Sequence, residues 1–233
     1  MPERPVLTFD LFSALVDSRS GGSGALASLA DRRGWPVSGT ELYDRWDARF
    51  KAAQRDCRQW VPFAELARAA LAAAYAELGL EQDADPDADA DELLGSVGEW
   101  PLWPDVTEGL AALRGSYRLG LLSNVDDDVF ARTAVAPLVD DDLVLTSQRL
   151  QAYKPDPRIY LRARQRVPGM VHVATSARDV RGATEAGIPF VRLRRPGHTL
   201  GHEVPPPRHE AGDMTELAEV LRRLHHPHTT RQE

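Results

Sequence analysis

The chain has 233 residues, 42% of them hydrophobic and 27% charged, with a formal net charge of −7. That length buries one large core, or a core plus a small inserted module. The acidic balance leaves no basic excess for phosphates, which argues against non-specific nucleic-acid binding. A single cysteine, Cys57, rules out an internal disulfide.

Residues 1–5 are charged and lead straight into a strand-like run, without a signal peptide or a spanning helix, so the cytoplasm is the expected setting. Residues 6–9 (Val-Leu-Thr-Phe) are apolar strand formers and predict a buried first strand ending at Asp10. Residues 18–24 are rich in Ser and Gly and read as a loop. From 25 to 80, Ala and Leu recur at three- and four-residue spacing, which predicts helices, with Gly79 as a cap. The acidic run 83–92 has a calcium-like Asp-x-Asp-x-Asp spacing, but Ala88 stands where a calcium loop needs Gly and Leu94 where it needs Glu. It reads as a solvated loop.

Beyond Trp103 the pattern alternates between helix and strand. Helices are expected at 106–113, 129–134, 157–165, 179–186 and 214–224. Strands are expected at 119–122, 143–145, 171–173 and 190–193. Such alternation implies an α/β, Rossmann-like parallel sheet covered by helices on both faces. Residues 225–233 read as a polar tail.

Ligands of an open parallel sheet bind at the carboxyl ends of its strands. Four polar groups fall there in chain order: Asp10, Ser123 with Asn124, Lys154, and residues 175–179. Phe9-Asp10-Leu11-Phe12 through Asp17, Leu121-Leu122-Ser123-Asn124, Tyr153-Lys154-Pro155-Asp156 through Tyr160, and Thr175-Ser176-Ala177-Arg178-Asp179 resemble the four motifs of the haloacid dehalogenase-like (HAD) hydrolases. Trp103-Pro104-Asp105-Val106 resembles the family's re-entry into its core after an inserted cap. The resemblance covers nearly the whole chain. It implies a HAD core over 1–19 and 100–224, and a helical cap over 20–99.

It also implies a chemistry. Asp10 would attack the substrate and form a covalent aspartyl ester. Lys154 would keep Asp10 ionised. Ser123 and Asn124 would donate to a substrate oxyanion, and Asp179 would orient Lys154 or the hydrolytic water. As polar cleft residues, Asp10 and Lys154 are expected to contribute little to stability.

Two departures select a branch. The second aspartate of HAD phosphatases is replaced by Phe12, and their Gly-Asp pair by Ala174-Thr175. Both changes point to the 2-haloacid dehalogenases, which resemble this chain in an aromatic residue at position 12, in a tyrosine matching Tyr160 and in needing no metal. That branch also carries a threonine where Ala14 stands, a serine and an asparagine where Ala174 and Ser176 stand, and an arginine where Asp47 follows Trp46. The arginine would meet the halogen side of the substrate, and Arg45 or Arg49 is expected to replace it. The substrate-binding set is thus Phe12, Ser123, Asn124, Tyr160, Ser176 and Arg49. No cofactor is expected; magnesium enters only if the chain is a phosphatase. The alternatives are an atypical HAD phosphatase, or a non-catalytic HAD fold that binds a metabolite or a protein partner. The expected partner is a small-molecule substrate, without nucleic acid or membrane, and with a homodimer allowed.

Other features have plainer readings. Asp126, Asp127 and Asp128 read as a solvated, helix-capping cluster. His198 and His202 have metal-pair spacing but lie among Pro196, Gly197 and Gly201, and His225, His226 and His228 read as exposed. The five tryptophans read as packing, with Trp46 and Trp60 as candidate pocket walls.

Overall fold

The computed structural model describes residues 4–202 and 204–225. Strands β1 (Val6–Phe9), β2 (Arg118–Ser123), β3 (Val144–Thr146), β4 (Val171–Ala174), β5 (Phe190–Leu193) and β6 (Glu210–Ala211) form one sheet in the order β3-β2-β1-β4-β5-β6. Every pairing is parallel. Such a sheet is covered on both faces, so its strands read as nearly continuous apolar runs, and Leu7, Phe9, Leu119, Leu121, Val173 and Val191 are wholly buried. From β1 the chain builds outward through β2 and β3, then returns to β4 on the other side of β1. The order reverses beside β1, which places a crevice at its carboxyl end.

Helices α1 (Ser18–Arg33), α2 (Gly39–Asp56), α3 (Phe63–Leu78) and α4 (Pro86–Gly95) lie between β1 and β2. The described residues of 20–99 contain helices and turns but no strand. Helix α5 (Val106–Arg114) re-enters the core, followed by α6 (Asp127–Ala131), α7 (Ser147–Leu150), α8 (Pro157–Arg166), α9 (Ala177–Glu185) and α10 (Met214–His225). Among the described residues no helix is long and apolar enough to cross a membrane.

Several expectations need correction. Residues 18–24 are not a loop but the first turns of α1, capped by Asp17, whose carboxylate accepts from Ser20 N at 3.2 Å. Gly21 and Gly22 are there because Trp100 and Tyr43 pack directly on the helix backbone, where a Cβ would collide with their rings. The acidic run 83–92 is largely α4, capped by Asp85. Its Asp89 is buried and accepts from Tyr75 Oη at 2.9 Å and from Arg33. Asp126 is buried as well; its Oδ2 accepts from Phe63 N, at the start of α3, at 2.8 Å. Asp127 pairs with Arg149 at 2.8 Å. The aspartate cluster is therefore partly an anchor for the inserted helices rather than a solvated run. His225 belongs to α10, with Nδ1 3.3 Å from Tyr117 Oη, while His226 and His228 lie outside the described residues.

Candidate active site

Asp10 leaves the end of β1, and its backbone N–H donates to Val173 O of β4 at 3.1 Å. This bond fixes where the carboxylate starts. Oδ1 accepts from Lys154 Nζ at 3.0 Å and from Ser123 Oγ at 3.1 Å. Oδ2 accepts from Ser13 N at 3.2 Å and from the Ser13 hydroxyl. Burial opposes ionisation of Asp10, but Lys154 and these donors hold its carboxyl below the usual range. It is a formed carboxylate at neutral pH, with both oxygens aimed by hydrogen bonds.

Lys154 is buried and bridges two carboxylates, since its Nζ also donates to Asp179 Oδ2 at 2.6 Å. Asp179 is buried in turn. Burial works against its charge, and Lys154 and His172 outweigh it, so its carboxyl lies far below the ordinary value. His172 Nε2 donates to Asp179 Oδ2 at 3.0 Å, and Tyr160 Oη donates to Oδ1 at 2.7 Å. His172 Nδ1 meets the Thr8 hydroxyl at 3.1 Å. Asp179 has both oxygens committed, so it orients Lys154.

A pocket lies over this network. Asp10, Phe12, Ser13, Ser123, Asn124, Lys154, Ser176, Arg178 and Asp179 line it from the core, and Tyr43, Trp46, Asp47, Phe50, Lys51, Gln54 and Phe63 from the inserted helices. Ser18, Leu94, Trp100 and His198 complete the wall. Phe12 stacks on Phe63 with ring centroids 6.0 Å apart and packs against Trp100 at 5.8 Å. Aromatic walls beside the Asp10 carboxylate favour a small organic substrate.

Three site expectations change. Tyr160 is wholly buried behind Asp179 and absent from the pocket wall; it positions Asp179 rather than touching substrate. Asn124 lines the pocket, but its amide donates to Gln54 Oε1 and Lys154 O, both at 3.0 Å, so it is not a substrate oxyanion donor. Arg49 pairs with Glu77 of α3, as Arg45 does at 3.9 Å, and neither lines the pocket. Trp60 is absent from the wall too, whereas Trp46 is on it.

His172, Ser13, Gln54 and Arg178 were missed. A signal existed for His172. It is the register partner of Thr8, so both polar side chains fall in the middle of a buried parallel sheet, where each needs a partner. His198 sits on the pocket wall instead of pairing with His202 in a metal site. Among the described residues no group of three or more His, Cys, Asp and Glu side chains fits a metal ion. The donors at the nucleophile do not fit magnesium either. A lysine ammonium occupies the space between Asp10 and Asp179, and the Thr175 hydroxyl is buried and donates to Leu193 O at 2.8 Å.

The sequence profile of haloacid dehalogenase-like hydrolases matches residues 5–187. The chain is 30% identical to (S)-2-haloacid dehalogenase 4A of Burkholderia cepacia, over 91% of this chain and 93% of the relative. It is 28% identical to (S)-2-haloacid dehalogenase 1 of Pseudomonas sp. (strain CBS-3), over 93% and 96%. Among solved structures it resembles a defluorinating L-2-haloacid dehalogenase, with a TM-score of 0.79 and 29% identity over 94% of this chain and 95% of that one.

Proposed function

Because this chain belongs to the haloacid dehalogenase-like hydrolase family, we propose that it hydrolyses the carbon–halogen bond of small 2-haloacids, with Asp10 as nucleophile. One observation carries the reading: an ionised, buried-rimmed Asp10, aimed by Lys154, Ser123 and Ser13, faces an aromatic pocket in which Phe12 stands where a phosphatase needs an acid. An Asp10 oxygen attacks C2 and the halide leaves as an anion, so no proton donor is required. Water then attacks the ester carbonyl of Asp10; one of its protons goes to the departing alkoxide and the other to solvent, releasing a 2-hydroxy acid of inverted configuration and restoring the carboxylate. Lys154 offsets the charge of the free Asp10 carboxylate before attack and again once hydrolysis restores it. Ser123 Oγ, on the Oδ1 side of Asp10, is placed to donate to the oxyanion that forms when water attacks. The named relatives support the 2-haloacid substrate class and its (S) configuration.

Residues 1–19 and 100–224 are the core domain, and residues 20–99 are a cap that closes over bound substrate. Phe12 and Ser176 contact the substrate. The enzyme works in the cytoplasm as a homodimer, without nucleic acid or membrane, and sedimentation of the purified chain tests the dimer. The activity test is a paired screen of 2-chloropropionate and p-nitrophenyl phosphate, each with magnesium and with chelator. Halide release from the (S) enantiomer, indifferent to chelator, is expected. Phosphate release that needs magnesium, with no halide release, would overturn the proposal.

A further inference from the structure

The pocket has three carboxylates, Asp10, Asp47 and Asp179, and three permanent cations, Lys51, Lys154 and Arg178. Their pairing is uneven. Lys154 is shared between Asp10 and Asp179, which leaves that trio one negative charge in excess. Lys51 is spent on Asp47, one helical turn away on α2, at 2.5 Å. Arg178 makes no ion pair among the described residues; its single hydrogen bond there runs from Nη1 to Gln54 Oε1 at 2.9 Å. His198 adds no competing charge, because burial and then the nearby Lys51 favour its neutral form.

A half-buried guanidinium without a carboxylate is costly unless something anionic joins it. A substrate anion approaching the negative trio is repelled unless a cation offsets that charge. The same residue resolves both difficulties. Arg178 is also held in place, because Gln54 Oε1 accepts from Arg178 and from Asn124 Nδ2 together. One N–H is pinned to the inserted helices, and the rest of the guanidinium fork is available to the pocket. A planar fork suits a carboxylate, which it can bind through two parallel bonds.

We propose that Arg178 is the specificity-determining residue that pairs with the substrate carboxylate. This rests on the dehalogenase reading and refines it. A carboxylate carries its full charge from binding through both chemical steps, so the matching cation is permanent and present before substrate arrives. Sharing Gln54 also ties the occupied anion site to the seating of α2 on the core.

The test compares wild type, Arg178→Met and Arg178→Lys on (S)-2-chloropropionate and on its uncharged amide. In Arg178→Met, the KM for the acid should rise ~10²-fold, the cost of removing a charge-assisted pair in a partly buried site. Amide turnover should fall far less than acid turnover, so the acid-over-amide preference collapses. Arg178→Lys should recover part of the preference, because it keeps the charge without the fork. A second arm titrates propionate, an unreactive carboxylate, and reads tryptophan fluorescence from Trp46 and Trp100. Affinity should fall ~10²-fold in Arg178→Met. Unchanged propionate affinity would overturn the inference, as would equal losses on acid and amide. If wild type releases no halide from any 2-haloacid, yet binds propionate through Arg178, the function proposed above fails while the anion site stands.

Discussion

Asn124 and Lys154 hold each other through two hydrogen bonds: Lys154 N donates to Asn124 Oδ1 at 2.6 Å, and Asn124 Nδ2 donates to Lys154 O at 3.0 Å. The asparagine at the end of β2 thereby fixes the backbone from which the lysine reaches Asp10. Asn124→Ala should lower kcat roughly tenfold or more while KM changes little, because a buried pairing worth ~1–3 kcal/mol is lost from the positioning of Lys154 rather than from substrate contact. Asn124→Asp should not rescue it, since a carboxylate cannot donate to Lys154 O. Steady-state kinetics on 2-chloropropionate decides the matter; a rise in KM with kcat intact would return Asn124 to the role of a substrate donor.

Lys154 leads to a different result from the one its sequence position suggests. The buried ammonium holds two carboxylates, so removing it leaves Asp10 and Asp179 facing each other uncompensated. Lys154→Met should cut turnover by at least ~10²-fold and lower unfolding free energy by about 3–5 kcal/mol. Urea titration and kinetics on the same preparations test both parts. A variant as stable as wild type would show that the network is relieved by proton uptake on Asp179.

Much of the architecture is legible because parallel strands buried on both faces leave a strong apolar trace: residues 190–193 read as a strand and are β5, and residues 157–165 read as a helix and form most of α8. The nucleophile and Lys154 are legible because a strand end is a fixed place in such a sheet. Other residues depend on which side of a helix they occupy. Asp47, Phe50, Lys51 and Gln54 stand at i, i+3, i+4 and i+7 of α2 and face the pocket; Arg45 and Arg49 share another face and meet Glu77. That phase was available in the sequence and excludes Arg49 from the pocket. Arg178 had no such signal, because its significance lies in making no ion pair among the described residues, which only packing reveals. Residues 18–24 and 83–92 misled because glycine and aspartate mark loops by propensity, yet here they permit close ring packing and cap helices.

Asp126 gives the protein a pH-dependent stability of unusual sign. Burial lifts its carboxyl to about 6 against the pull of the Phe63 and Ala64 amides, and Asp127 and Asp128 add repulsion. Between the ordinary value and about 6 the folded state binds the extra proton, so this group's contribution falls as pH rises through that window and stays low above it. Asp126→Asn keeps an acceptor for Phe63 N and carries no charge. It should stabilise the protein near neutral pH by roughly 1–3 kcal/mol, with the gain shrinking as pH falls below about 6. Urea unfolding on either side of that pH gives the comparison, and a pH-independent difference would contradict it.

The covalent step is tested most directly at Asp10. Its carboxylate is ionised, held by four donors and open to the pocket, which is the arrangement of a nucleophile rather than of a general base that must first take a proton from water. Asp10→Asn should lower turnover by at least ~10²-fold, since an amide oxygen is a poor nucleophile and the bond to Lys154 loses its charge. The isotope experiment separates this mechanism from direct attack by water. In ¹⁸O-labelled water, a single turnover with excess enzyme should put the label into the Asp10 peptide, because water attacks the ester carbonyl and the product takes its oxygen from the original carboxylate. Only in later turnovers should labelled oxygen pass from Asp10 into the hydroxy acid. Mass spectrometry of the product and of the peptide containing Asp10 measures both pools. Label in the first-turnover product, with none in that peptide, would mean that water attacks C2 directly and that Asp10 acts as a base.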